Sequence, residues 1–441
     1  MQPAMHPGPD RTDPQAGLLR ECPLCGQFQT LPHARPGEAA QCLRCATVLL
    51  RGRTDSLGHA TAYAVAAGSL LALALGMPFM GLYVLGRSFS SSLFTGPIAL
   101  TEHGLGELGL LVLLTSVIMP VLKIGILLTT LLGLRMAQPP AFLGRVFAWY
   151  DAISPWAMIE VFLLGSFVAY TRLAALATVQ LGPAIYAVGG VMLATAAADA
   201  VLVPEAVWEA LDRRGLGGAP LRSGRQVIGC DCCGLVHHAE PGDRCPRCDT
   251  RLQVRRRNSI ATTWALVCSA LVLYVPANLL PVMTVVRYGR GEPTTISGGV
   301  IELVQAQMWP LAALVFFASI LVPVLKLVGL MVMLVSIQRR SATGLIARTR
   351  LYRVVEFVGR WSMIDVFLLS NLVALVHMGF LANINPNQGD IYFGAVVVLT
   401  MFAARSFDPR LMWDAAAVTE STEAAAAERH AGASPGHEAL A

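Results

Sequence analysis

Eight of the ten cysteines fall into four CxxC pairs. "CPLC" at 22–25 and "CLRC" at 42–45 are 16 residues apart, and "CDCC" at 230–233 and "CPRC" at 245–248 are 11 apart. A CxxC turn aims two thiolates at one point. Two such turns close a tetrahedron around a divalent ion and leave no coordination position open. The expected chemistry is structural zinc binding, one ion at Cys22, Cys25, Cys42 and Cys45 and a second at Cys230, Cys233, Cys245 and Cys248. Cys232 matches Leu24 by register and reads as a bystander, and Cys268, inside an apolar run, as a small core residue. Each cysteine segment is too small to hold a core alone, so metal would supply its folding energy. Dithiol exchange is the competing chemistry of a CxxC pair, and the doubled spacing argues against it.

The second set of chemistry-bearing residues is charged groups inside apolar runs. Of 33 basic residues only two are lysine, Lys123 and Lys326, each in a PVLK tetrapeptide. A mid-membrane lysine costs about 2.5–3.5 kcal/mol on insertion scales, so something must offset it. The expected partners are Glu160 and Asp365, which hold matched positions in the "MIEVFLL" and "MIDVFLL" blocks. Ser319 precedes Lys326 by seven residues and shares its helix face. Pro323 lies between them and deprives the Ser319 carbonyl of its helical donor; Ser116, Pro120 and Lys123 repeat the arrangement. Thr195 and Thr400 keep the same register. A salt bridge that fixes helix packing is one reading of these residues. A protonatable relay beside a transport path is the other. Buried lysine loses its proton readily and arginine does not, which favours the relay in a chain that otherwise uses arginine. No catalytic residue is assigned.

These residues must be positioned by membrane helices. The chain has 441 residues, 55% hydrophobic and 14% charged, well below the roughly 25% charge of soluble domains. Eight apolar spans are expected, at about 60–84, 106–134, 155–177, 184–204, 260–284, 308–336, 361–382 and 391–407. The first begins behind a polar, cysteine-containing stretch, so no cleavable signal peptide is expected. Segment 205–258 holds ten arginines and 338–360 six, whereas 85–105 holds only Arg87 and 284–305 only Arg287 and Arg290. The arginine-rich face should be cytoplasmic, with both termini and both cysteine segments on that side. This bias accounts for the net charge of +5 without nucleic acid. As drawn, Asp365 and Thr400 each lie five residues from a flanking arginine, Arg360 and Arg405, while Lys326 lies 13 before Arg339.

A long internal register organises the whole. Cys45 and Cys248, Pro78 and Pro281, Pro120 and Pro323, and Lys123 and Lys326 are each 203 residues apart. "WAMIEVFLLGSFVA" from Trp156 and "WSMIDVFLLSNLVA" from Trp361 share 9 of 14 positions at a spacing of 205, as do Pro204 with Pro409 and Trp208 with Trp413. The chain is therefore two equivalent modules. An even number of spans makes them parallel rather than inverted repeats. The fold class is an α-helical polytopic membrane protein of two tandem modules, each a four-cysteine zinc ribbon plus four helices. The expected boundaries are a disordered tail at 1–17, ribbons at 18–55 and 225–257, four-span units at 58–210 and 258–413, and a disordered tail at 414–441. "VMTVVRYG" from Val282, "RGEP" and "TTIS" read as strand, turn and strand on the outer face, with "GLYVLGRSFSSSLFTG" from Gly81 as the weaker counterpart. Such a small β element would brace the helices or offer a docking surface. No GxxxxGK[ST] motif occurs, so no nucleotide chemistry is expected.

Tandem four-cysteine ribbons, each followed by four spans with PVLK and MIDVFLL or MIEVFLL, resemble the paraquat-inducible protein A family over residues 20–413. The resemblance implies zinc ribbons joined to tetraspanin-like four-helix units in a bacterial inner membrane. It also implies an MCE-domain partner of the LetB or PqiB type, which forms a tunnel across the periplasm, and exchange of phospholipid between bilayer and tunnel. The family's polar relay matches Ser319, Lys326, Asp365 and Thr400; module one has Ser116, Lys123, Glu160 and Thr195, with Glu where module two has Asp. Two alternatives remain at this stage: a passive membrane anchor for the tunnel, and a membrane thiol oxidoreductase.

Overall fold

A computed structural model describes residues 18–418 apart from 33, 85–86, 175–177, 223, 288–289 and 376–381. Residues 1–17 and 419–441, read as disordered tails, lie outside the described residues. Residues 410–418, the last five of which were assigned to the second tail, are helical. Eight helices are long and apolar enough to cross a membrane: Ser56–Gly76, Gly106–Arg135, Leu143–Ala174, Pro183–Val201, Ser259–Leu279, Trp309–Gln338, Leu345–Leu375 and Gln388–Ser406. They are called the first to eighth spans below.

Four boundaries differ markedly from the sequence reading. The first and fifth spans stop at Gly76 and Leu279 because the apolar residues that follow enter strands, Met80–Val84 and Met283–Arg287. An apolar run does not distinguish a buried strand from the end of a helix. The third and seventh spans start 12 and 16 residues earlier than expected. In the seventh, Arg348, Arg350, Arg353 and Glu356 mask the extension in a hydropathy reading, yet Thr349, Tyr352 and Val355 bury one helical face. The seventh span thus begins at Leu345, and Asp365 lies 20 residues along it, about 30 Å from the arginine-rich end. The shallow placement expected from Arg360 is corrected accordingly.

Both modules repeat two irregularities. π-helical turns at Leu114–Ile118 and Phe317–Leu321 precede Pro120 and Pro323. Each absorbs the donor that proline lacks: the Val322 N–H bonds the Phe317 carbonyl, five residues back. The third and seventh spans pass through 3-10 turns at Ser154–Trp156 and Gly359–Met363, which free backbone carbonyls inside the bundle. At the end opposite the arginine-rich face, each module carries a three-stranded antiparallel sheet. Met80–Val84 lies between Arg87–Ser91 and Thr178–Leu181, and Met283–Arg287 between Arg290–Thr294 and Ala382–Pro386. Residues 290–293, read as a turn, belong to the second strand, and the third strands were not expected.

Within a module the first span packs along the fourth, and the fifth along the eighth; the modules meet through the third and seventh spans. Gly165 permits that approach, since a Cβ there would lie 2.9 Å from the Phe367 Cβ and 3.1 Å from the Ile364 carbonyl. Asn371 Nδ2 donates to Ser166 Oγ at 3.2 Å, and Phe162 meets Phe367 edge-on at 5.5 Å.

The ribbons sit crossed. Ribbon one packs beneath module two, with its cysteines in one apolar cluster with Val267, Tyr352, Phe407 and Trp413. Ribbon two packs beneath module one, against Phe147, Trp208 and Leu211. Arg44 lies 4.7 Å over Trp413 and Arg247 lies 5.6 Å over Trp208, and Arg247 is also paired with Asp212. Arg410, 3% exposed, joins all three parts: its guanidinium donates to Asp408 at 3.1 Å, to Glu21 of ribbon one at 3.2 Å and to Asp231 of ribbon two at 3.0 Å. Burial alone would raise the Asp408 carboxyl, but the hydrogen bond and charge of Arg410, together with the Arg256 and Arg410 backbone N–H groups, outweigh it and hold it below the usual carboxylate range. Its stabilisation is therefore present above about pH 4 and lost as pH falls through the lowered folded-state value. Removing one member of a buried ion network leaves charge uncompensated. Arg410→Ala is expected to cost roughly 3–5 kcal/mol, measured as a lowered thermal midpoint in detergent. An unchanged midpoint would show the hub to be incidental.

Candidate functional site

Each predicted cysteine quartet comes together. The four Sγ atoms of Cys22, Cys25, Cys42 and Cys45, and those of Cys230, Cys233, Cys245 and Cys248, lie within 4.8 Å of one another and are buried. The Cys22–Cys45 and Cys25–Cys42 separations are 3.6 and 3.5 Å, and Cys230–Cys248 and Cys233–Cys245 are both 3.5 Å. These are far beyond a disulfide's roughly 2.05 Å and close to the ~3.8 Å sulfur spacing of a tetrahedron with 2.3 Å metal–sulfur bonds. The residues fit a metal ion of zinc's kind. Cys232 stands outside the quartet, its thiol directed at the Ala148 carbonyl, 3.7 Å away. Cys268 is exposed on the surface of the fifth span rather than in a core. His237, which sequence reasoning missed, is fully buried and places Nε2 3.4 Å from Cys245 Sγ. The Leu221 N–H donates to its Nδ1, leaving Nε2 to carry the proton toward the thiolate. Two metal equivalents per chain are expected on elemental analysis, none of them lost in Cys232→Ser. Loss of one in that variant, with both kept in Cys233→Ser, would reverse the ligand assignment.

The expected pairing of each lysine with the acid of the next span is corrected. Lys326 is 1% exposed, and Nζ donates to the Gly359 carbonyl at 3.3 Å and to Ser362 Oγ at 3.4 Å. No ion pair among the described residues joins it to a carboxylate. The reason is depth: Lys326 lies 12 residues, about 18 Å, from the arginine-rich end of its span, whereas Asp365 lies about 30 Å from the corresponding end. The lysine instead meets the 3-10 turn below Asp365. Ser319 is buried, donates its hydroxyl to Val315 at 2.7 Å and lies beside Asp365. Thr400 is buried and bonds Val397 in its own helix. Among the described residues no hydrogen bond links Thr400 to Ser319, Lys326 or Asp365.

Module one resolves the same lysine differently. Lys123 Nζ donates to Asp199 Oδ2 at 2.6 Å, and Tyr150 donates to Asp199 Oδ1 at 2.5 Å. Glu160, the expected partner, instead pairs across the module interface with Arg360 at 3.0 Å. Ser116 donates to Val112 and Thr195 to Val191. By the 205 register, Asp199 and Tyr150 correspond to Ala404 and Val355, whereas Ser362 and Gly359 correspond to Ala157 and Ser154. The two lysines have thus exchanged their surroundings. One has a carboxylate; the other has a backbone carbonyl and a hydroxyl. Asp199 is an acid inside the expected 184–204 run, and it went unmatched because its register partner is Ala404.

Asp365 faces a cavity of about 50 Å³ beneath the module-two sheet, with Arg172 of the third span and Asp390 of the eighth in the same lining. Neither Arg172 nor Asp390 was singled out from sequence, because each stands near a span end where charge is ordinary.

The architecture defines a class: a helical protein of two tandem four-span units with two four-cysteine metal-binding clusters. The family model for Paraquat-inducible protein A matches residues 57–212 and again 260–417. The chain belongs to that family. It is similar to the Intermembrane transport protein PqiA of Escherichia coli, 35% identical over 91% of this chain and 97% of that protein. It is also similar to the Lipophilic envelope-spanning tunnel protein A of the same organism, 29% identical over 90% and 92%. A Probable intermembrane transport protein of Haemophilus influenzae is 27% identical over 91% and 97%. No solved structure matches the chain.

Proposed function

We propose that this chain is a non-enzymatic inner-membrane component of an intermembrane lipid transport system. It exchanges phospholipid between the membrane and a periplasm-spanning tunnel formed by an MCE-domain partner. Proton movement through module two drives or gates that exchange. Relatives named for intermembrane transport, matched along nearly their whole length, support the transport reading. The observation that carries the mechanism is the unequal lysine pair. A lysine held by a carboxylate stays charged and braces helices. A buried lysine with only neutral acceptors is costly to keep charged and can give up its proton. Module one is the scaffold and module two the moving part, with Ser319, Ser362 and Asp365 strung along the bundle on the sheet side of Lys326. Zinc at the two cysteine clusters holds the ribbons at the cytoplasmic face. The four-span units work as tetraspanin-like bundles whose sheets meet the partner in the periplasm.

The experiment that tests the transport reading is complementation of a transport-deficient strain with relay variants at matched protein level, treated below. Orientation has its own test. Ser297 is exposed beside the module-two sheet. In a Cys268→Ser background, Ser297→Cys is expected to react with an impermeant thiol reagent in cells whose inner membrane is intact. Reaction only after that membrane is permeabilised would invert the assigned orientation.

A further inference from the structure

The cavity under the module-two sheet holds charge that Lys326 does not touch. It measures about 50 Å³ and is lined by Arg172, Thr295, Val315, Asp365, Asp390 and Phe393, among others. That volume admits one or two waters, enough to connect two acids by hydrogen bonds. Asp390 is 3% exposed, and among the described residues its buried Oδ2 has no hydrogen-bond partner. The buried Nε of Arg172 likewise has none among the described residues. Two carboxylates that face one small cavity resist holding two charges, and one guanidinium balances only one of them. The Ser319 hydroxyl lies beside Asp365, and Arg172 lines the same cavity. Among the described residues, the charged and titratable groups around Asp390 come from three directions. Arg172 belongs to the third span, Asp365 to the seventh, and Glu302, which acts on Arg172, to the short helix Ile296–Gln305. The sixth span supplies Val315 to the lining and the uncharged Ser319 beside Asp365. By register, Asp390 corresponds to Ile185 in module one, so the site exists once, in the module whose lysine lacks a carboxylate.

We infer that Asp390 is a proton-holding site at the sheet end of the module-two polar column, sharing one proton with Asp365 across the water in this cavity. Arg172 of the other module is a positioning residue whose single charge balances one of the two carboxylates and so governs where the shared proton rests. A proton from water on the sheet side binds the Asp390 carboxylate. It then passes to Asp365, and Asp390 returns to carboxylate; nothing else is consumed. This rests on the relay reading above, and it adds the group that loads the column and the residue by which module one controls it.

The test is infrared difference spectroscopy of the full chain in phospholipid nanodiscs at neutral pH. A protonated carboxylic acid band, shifted in heavy water, is expected in the unaltered protein and in Lys326→Ala. It should be lost in Asp390→Asn, displaced in Asp390→Glu, and enlarged in Arg172→Gln as the second acid takes up a proton. Absence of the band from the unaltered protein, or an unchanged band in both Asp390 variants, overturns the inference even if Lys326 proves essential. If Asp390→Asn does not accumulate, Asp390→Glu decides by the same displacement. Normal transport by Lys326→Ala, together with the expected spectra, removes the relay reading and leaves Asp390 as the proton site.

Discussion

Lys326→Ala is expected to accumulate normally and to lose transport by about 100-fold or more, the usual contribution of a group that transfers a proton. Removing a buried cation that no carboxylate holds relieves a desolvation cost, so the loss cannot be blamed on folding. Lys326→Arg should fail as well. It keeps the charge beside the Gly359 carbonyl and Ser362 that now accept from the lysine, yet arginine does not give up its proton. The comparison between modules suggests a sharper variant. Ala404 is the register counterpart of Asp199, which holds Lys123 at 2.6 Å. Ala404→Asp is expected to rebuild the module-one ion pair in module two, leave Lys326 in place and still stop transport, because the ammonium is then held charged. The measurement is growth of a transport-deficient strain at matched expression, with lipid transfer by purified protein as the direct readout. Full activity of Lys326→Arg or of Ala404→Asp would reduce Lys326 to a packing residue. Lys123→Arg, already next to a carboxylate, is the control that should retain activity.

The second large effect concerns metal. Structural zinc sites contribute apparent binding energies of about 10–16 kcal/mol to small domains, more than a ribbon of this size gains from its own core. Cys22→Ser is expected to lose one metal equivalent and to unfold ribbon one. The damage should appear in module two, because the cysteines of ribbon one pack in one cluster with Phe407, Met412 and Trp413. Hydrogen exchange should therefore accelerate over residues 407–413 and 349–355, while the Phe147 and Trp208 region stays protected. Cys245→Ser should show the reverse pattern, with exchange rising around Phe147, Trp208 and Leu211, which pack on ribbon two. If each substitution loosened only the module that follows its ribbon in sequence, the crossed arrangement would be wrong.

The two cysteine quartets and the eight-helix plan were legible in the sequence for different reasons. A CxxC pair is a local geometric device, so spacing alone assigns it. Apolar runs report the membrane, and the duplication supplied a second copy against which each residue type could be checked. Partners were not legible. The lysines seemed bound to the acids that recur in the next span, but recurrence reports position along the chain and not depth in the bundle. A 3-10 turn at Gly359–Met363 and an early helix start at Leu345 set the depths, and neither leaves a hydropathy signal. Asp199 and Asp390 escaped notice because their register counterparts are alanine and isoleucine. The search for repeated polar residues passes over those that occur once, and here the single occurrences make the modules unequal.

The crossed ribbons also govern how the molecule is made. Ribbon two finds its seat ready, since Trp208 leaves the ribosome 22 residues before Cys230. Ribbon one does not: Trp413 emerges 391 residues after Cys22. At about 5–20 residues per second, roughly 20–80 s separate ribbon one from its seat at Trp413, and until then it has only earlier-made partners such as Glu205 of module one, 2.9 Å from Arg20. The chain then shuts like a clasp, its first folded unit gripping its last. A gene cut between the modules should consequently yield two halves that find each other, because each half carries the cap that the other half lacks.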